Sequence, residues 1–213
     1  MMILPNAVLS DVTRGVPAAA SLPRIVWPTM VLGERSYEEG DLEWFPEDHC
    51  YRERAKLGIG GAMSRVFRDA VRLASNRVWL LDEQLLRDDK SVRLLVRLFG
   101  DTSATDIKIV TASKEGAAER ANWLKDLEKE RQDSNRGTPP RIQISLNLNK
   151  AAKEVPDIHD RFAVIDDVLW HCGATIGGLH NAINAMTIGW SAHTTHAIDF
   201  FNQLWGILER GYD

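Results

Sequence analysis

Apolar positions follow regular periods from Gly58 onward. Met63, Val66, Phe67, Ala70, Val71 and Ala74 recur at helical spacing with Arg65, Arg68 and Arg72 opposite, which predicts an amphipathic helix ending near Ser75-Asn76. The short apolar run Arg77-Val78-Trp79-Leu80-Leu81-Asp82 suits a strand buried on both faces. Ser91 is placed to cap a helix through Val92, Leu94, Leu95, Leu98 and Phe99, closed by Gly100. Asp106-Ile107-Lys108-Ile109-Val110-Thr111 reads as a second strand, and a polar helix follows from about Glu115 to Arg131 with Ala118, Ala121, Trp123, Leu124 and Leu127 as its apolar stripe. Residues 135–140 are loop by composition, and residues 141–148 alternate apolar and polar with the period of a strand. Residues 162–166 and 168–172 read as two strands joined at Asp166-Asp167, and residues 197–208 as a closing amphipathic helix carrying Phe200, Phe201, Leu204 and Trp205. That order predicts an α/β domain over residues 58–213, a mixed β-sheet flanked by helices.

The first 57 residues break this regularity. Pro5, Pro17, Pro23, Pro28 and Pro46 interrupt any helical or strand period, so residues 1–57 read as an irregular, proline-rich arm. Within it Arg24-Ile25-Val26-Trp27 and Met30-Val31-Leu32 are strand-like, and residues 38–45 are acidic with Trp44 and Phe45. Such an arm packs on its own domain or docks a protein partner, with residues 24–46 as the candidate surface.

Composition narrows the class. At 213 residues, 44% hydrophobic and 26% charged, the chain has the size for a proper core without covalent staples. Cys50 and Cys172 are too few for a disulfide framework, no stretch approaches the ~20 apolar residues of a membrane span, and the start lacks the basic flank and apolar run of a signal peptide. The expectation is a cytoplasmic protein without membrane attachment. A net charge of −4 argues against a dedicated nucleic-acid coat while permitting a locally basic site.

The polar residues with the most pointed spacing begin at His159. If a strand starts there, His159, Arg161 and Ala163 share one face while Asp160 and Phe162 take the other. A guanidinium offers a fork of donors to an oxyanion, and an imidazole can attack phosphorus or deliver a proton. Asp166 closes the strand and is a candidate to orient an imidazole; Gly173, Gly177 and Gly178 allow backbone amides to approach a phosphate.

This spacing resembles the signature of the phospholipase D superfamily: a histidine, one residue, a basic residue, four residues, an aspartate, six residues and a glycine, filled here by His159, Arg161, Asp166 and Gly173. The likeness to single-motif bacterial members runs over about residues 60 to 208. It implies a homodimer in which two motifs meet at a twofold axis. One histidine becomes a covalent phosphohistidine and the other protonates the leaving group, with neither metal nor other cofactor. It further implies catalytic roles for His159, Arg161 and Asp166, support of the phosphate by Gly173 and Thr175, and a DNA or RNA substrate more than a lipid one. The chain departs from the pattern at Arg161, where lysine is usual, at Ala174, where serine is favoured, and at Ile176, where asparagine is often found. Those departures carry the alternative, a weak or inactive dimerisation module that binds nucleic acid or a partner within a mobile-element or phage-defence assembly.

Other clusters have plainer readings beside functional ones. His193 and His196, three apart, would share a helix face and suit a metal, but no third ligand stands nearby, so a surface helix start capped by Thr194 or Thr195 is the better account. Asp48-His49-Cys50 holds catalytic residue types that cannot converge when adjacent. Arg52, Arg54, Lys56, Arg65, Arg68 and Arg72 form a solvated face or a surface that guides a nucleic-acid strand. Trp170 and Trp190 pack in the core or stack on a base.

Overall fold

The computed structural model describes residues 22–32, 37–42, 63–133, 141–149, 158–178 and 184–210. The arm boundary at 57/58, the run Asp48-His49-Cys50, the aromatics Trp44 and Phe45, the charges Arg52, Arg54 and Lys56 and the loop 135–140 lie outside them.

Among the described residues eight strands form one mixed sheet: β1 (Arg24–Leu32), β2 (Tyr37–Leu42), β3 (Arg77–Leu81), β4 (Asp106–Val110), β5 (Arg141–Ser145), β6 (Arg161–Ile165), β7 (Val168–Cys172) and β8 (Met186–Ser191), in the spatial order β2-β1-β8-β7-β6-β3-β4-β5. Strands β3, β4 and β5 are parallel. The rest of the sheet is antiparallel, built on the β6–β7 hairpin.

The helices are α1 (Arg65–Leu73), α2 (Asp89–Gly100), α3 (Ala117–Asp133) and α4 (Ala197–Glu209). Alternation along β3 and β6 sends Val78, Leu80, Ala163 and Ile165 into the core beneath α1, α2 and α3, and Trp79, Leu81, Phe162 and Val164 into a second core beneath α4. The α/β expectation therefore stands, with three helices on one face and one on the other.

Three local features differ from the sequence expectation. Within the proline-rich arm the strand-like runs 24–27 and 30–32 form one continuous strand, β1, with the unexpected β2 beside it, and β1 joins the main sheet through the pairs Arg24↔Ile188, Ile25↔Thr187 and Val26↔Met186. Pro28 sits within β1, toward the edge of the sheet, where a missing N–H is tolerated. Helix α2 is capped by Asp88, whose Oδ1 accepts from Ser91 N at 2.8 Å, so Ser91 is the capped residue and not the cap. At α4 the N-cap is His196 in a left-handed conformation with no side-chain cap bond; the Thr194 and Thr195 hydroxyls both donate to Ser191 O instead.

Candidate phosphate site at the end of the parallel strands

Antiparallel pairing of β3 with β6 brings the carboxyl end of β3 beside the start of β6, and this juxtaposition builds the site. Asp82 follows the last residue of β3 and is 1% exposed. Its Oδ1 accepts from Gln84 N at 2.8 Å and from Arg161 Nε at 3.2 Å, while Oδ2 accepts from Ile176 N at 2.9 Å. One buried carboxylate thus ties the strand end, the first residue of β6 and the glycine turn after β7. Arg161 Nη2 also lies 3.7 Å from Glu83 Oε1. Burial pushes the Asp82 carboxyl above its ordinary value, against the pull of the Gln84 and Ile176 amides and of Arg161.

The opposite strand completes the wall. Arg161 pairs across the hairpin with Cys172, which is 2% exposed and whose thiol burial pushes up to about 12. It is therefore a neutral packing group. Beyond it Gly173 N donates to Ala185 O at 2.9 Å, Thr175 and Ile176 are buried, and Gly177 takes φ +74 while its carbonyl accepts from Ser64 N at 2.8 Å. Ser64 caps α1 by accepting from Phe67 N at 3.2 Å, so the positive end of that helix adjoins the turn, with no acidic residue in its first turn.

His159 lies just before β6, exposed, two residues from Arg161. Asp160 turns elsewhere: its Oδ1 lies 3.5 Å from His171 Nε2, and the His171 ring packs at a tilt against Phe162, centroids 5.2 Å apart, on the face opposite Arg161. His159, Arg161 and the glycine turn are thus gathered at one end of the sheet.

Asp166 is not gathered there. It follows β6 at the far end, in the hairpin turn with φ +49. Its Oδ1 accepts from Asn76 N at 2.8 Å and Arg77 N at 3.1 Å, and its Oδ2 from Ser75 N at 3.2 Å. Within the protomer Asp166 holds the entry of β3, at the opposite end of β6 from His159. Of the expected phosphate supports, Gly173 donates its amide to Ala185 O and Thr175 is buried at 2% exposure. The sequence reading missed Asp82 and Glu83 as partners of Arg161; the signal was an acidic pair closing the apolar run 78–81.

Arg65, Arg68 and Arg72 all lie exposed on the outer face of α1, at a spacing that makes one stripe. Arg65 also meets Asp69 at 3.7 Å, an exposed pair of small energetic weight. His193 and His196 point to separate carboxylates, with His193 Nε2 3.1 Å from Asp167 Oδ1 and His196 Nδ1 3.1 Å from Asp199 Oδ2. Among the described residues no group of three or more His, Cys, Asp or Glu side chains is arranged to hold a metal, and no helix is long and apolar enough to cross a membrane. Trp170 is buried against Phe67, edge to face at 5.3 Å, so it packs in the core.

No family model matches the chain, and no curated protein sequence matches it. Among solved structures, TrmBL2, described as an archaeal chromatin protein with a novel mode of DNA binding, is similar with a TM-score of 0.39 and 10% identity, over 75% of this chain and 59% of its own. A phosphatidylserine synthase from Haemophilus influenzae is similar with a TM-score of 0.42 and 15% identity, over 70% of this chain and 35% of its own. The chain therefore spans less than two thirds of either protein.

Proposed function

We propose that this chain is a phosphodiesterase of the phospholipase D type, directed at nucleic acid and active as a homodimer. The observation that supports the reading is that Arg161, two residues after His159, and the turn after Gly173 both bond to Asp82 at the carboxyl end of β3, where open α/β sheets place their sites. In this scheme the His159 imidazole of one protomer attacks phosphorus, forming a P–N bond as the P–O bond to the leaving group breaks. His159 of the second protomer protonates that oxygen. Water then displaces the histidine, and the proton it loses returns to the second imidazole. Arg161 neutralises charge on the equatorial oxygens. Both proton donor and nucleophile are side chains, so cleavage proceeds in chelator. The α1 stripe of Arg65, Arg68 and Arg72 supplies contacts to the nucleic-acid backbone.

A second reading has its own support. The Gly173 amide is occupied, Thr175 is buried, and Ile176 places an apolar side chain where a polar contact is usual. These favour a binding module that keeps the phosphate platform without turnover, docking a partner through residues 24–46. The two are separated by incubating the purified chain with labelled DNA and RNA in chelator. Cleavage lost in His159→Ala supports the enzyme; binding retained in His159→Ala but lost in Arg161→Ala, with no cleavage by the parent, supports the module.

A further inference from the structure

Arg161 stands where a lysine is expected, and the contacts of its guanidinium give the substitution a physical meaning. Nε lies 3.2 Å from Asp82 Oδ1 and Nη2 lies 3.7 Å from Glu83 Oε1. Nε and Nη2 form one edge of the planar group, so the acidic pair grips that edge. Nη1 has no hydrogen-bond or ion partner among the described residues, and the side chain is 21% exposed. Asp82 is itself immobilised, buried and bonded to the Gln84 and Ile176 amides. A lysine ammonium at this position would be a single point charge drawn to two carboxylates. A guanidinium can serve the acids with one edge and an anion with the other.

We infer that Asp82 is a positioning residue that fixes Arg161 by its Nε edge and turns the Nη1–Nη2 edge outward as a two-pronged clamp for a phosphoryl group. The inference rests on the phosphate-directed reading above and adds the direction of approach and the residue that sets it. It also gives the arginine a reason: at this site charge alone is insufficient, because Asp82 and Glu83 would hold a lysine inward.

The test is binding of inorganic phosphate to the full chain by isothermal titration, for the parent, Arg161→Lys, Asp82→Asn and the double variant. The expected result is a loss of about tenfold or more in Arg161→Lys despite the conserved charge, with most of the loss recovered when Asp82→Asn is added and frees the ammonium. Parent-like binding by Arg161→Lys overturns the clamp while leaving the phosphate reading intact; a double variant no better than Arg161→Lys overturns the positioning role. A parent that binds no phosphate removes the underlying reading itself. Because substitution of the buried Asp82 can perturb folding, a second measurement uses the unaltered chain, following arginine side-chain nitrogens by NMR during phosphate addition. Shifts at the Arg161 Nη nitrogens with the Nε–H resonance unmoved agree with the clamp, and displacement of Nε–H contradicts it.

Discussion

His159 and Asp166 flank β6 from opposite ends, separated by the whole length of the strand. At about 3.3 Å per residue that is roughly 23 Å, far outside contact, although seven positions of sequence make them look like parts of one constellation. Asp166 instead accepts three backbone N–H bonds from Ser75, Asn76 and Arg77. Replacing it with alanine removes the shared acceptor of the three amides, leaves the part-buried Arg77 N–H short of a partner and puts alanine at a left-handed turn. The expected cost is about 1–3 kcal/mol, seen as a melting point lower by about 2–4 °C per kcal/mol. Phosphate affinity of the folded variant stays at the parental level, and a selective loss of affinity at unchanged stability would reinstate Asp166 in the site.

Gly177 is the second position where backbone conformation is decisive. Its φ of +74 suits glycine, and a Cβ there would meet Phe67 Cδ1 at 3.1 Å. The expected outcome for Gly177→Ala is destabilisation of about 1–3 kcal/mol. Movement of the turn would also displace Ile176 N from Asp82, so phosphate binding falls in the same variant. Chemical denaturation and phosphate titration together check both.

Cys172 gives the pH dependence its sign. Its thiol, pushed up to about 12 by burial, is protonated in the fold, whereas in the unfolded chain it ionises near its ordinary value. The contribution to stability is therefore fully present below the unfolded value and lost as pH rises toward about 12. At pH 8 the Cys172 peptide is expected to resist alkylation in native protein and to react on addition of denaturant, read by mass spectrometry. Rapid native labelling would contradict this.

The α1 stripe predicts a salt effect. Replacing Arg65, Arg68 and Arg72 with alanine is expected to weaken duplex DNA binding and to flatten the plot of log affinity against log salt by about 0.9 for each phosphate that is no longer neutralised. Thermal stability should change little, because all three side chains are exposed. An unchanged slope would place the nucleic acid on another surface.

What the sequence showed, and what it hid, follows from the range of the forces involved. Helices α1, α2, α3 and α4 and strands β3 to β7 were legible because each carries its own apolar period. Strand β8 was not, because Gly189 and the flanking polar residues weaken its alternation, although Met186 and Ile188 are buried between β7 and β1. The continuity of β1 was obscured by Pro28, which splits it into the two strand-like runs 24–27 and 30–32; proline is a breaker in the interior of a sheet but acceptable near its edge. The grouping of His159 with Arg161 was readable from spacing of two. Its buried partner was not: Asp82 lies 79 residues from Arg161, and only the pairing of β3 with β6 brings them together.

In the proposed mechanism one phosphodiester is served by two imidazoles, one from each subunit. Subunits carrying His159→Ala, mixed with differently tagged parental subunits and isolated as heterodimers, retain a single imidazole per site. Their nucleic-acid cleavage in chelator is expected to fall at least about a hundredfold below that of the parental homodimer. A heterodimer keeping half of the parental rate would show that each subunit acts alone and would contradict it.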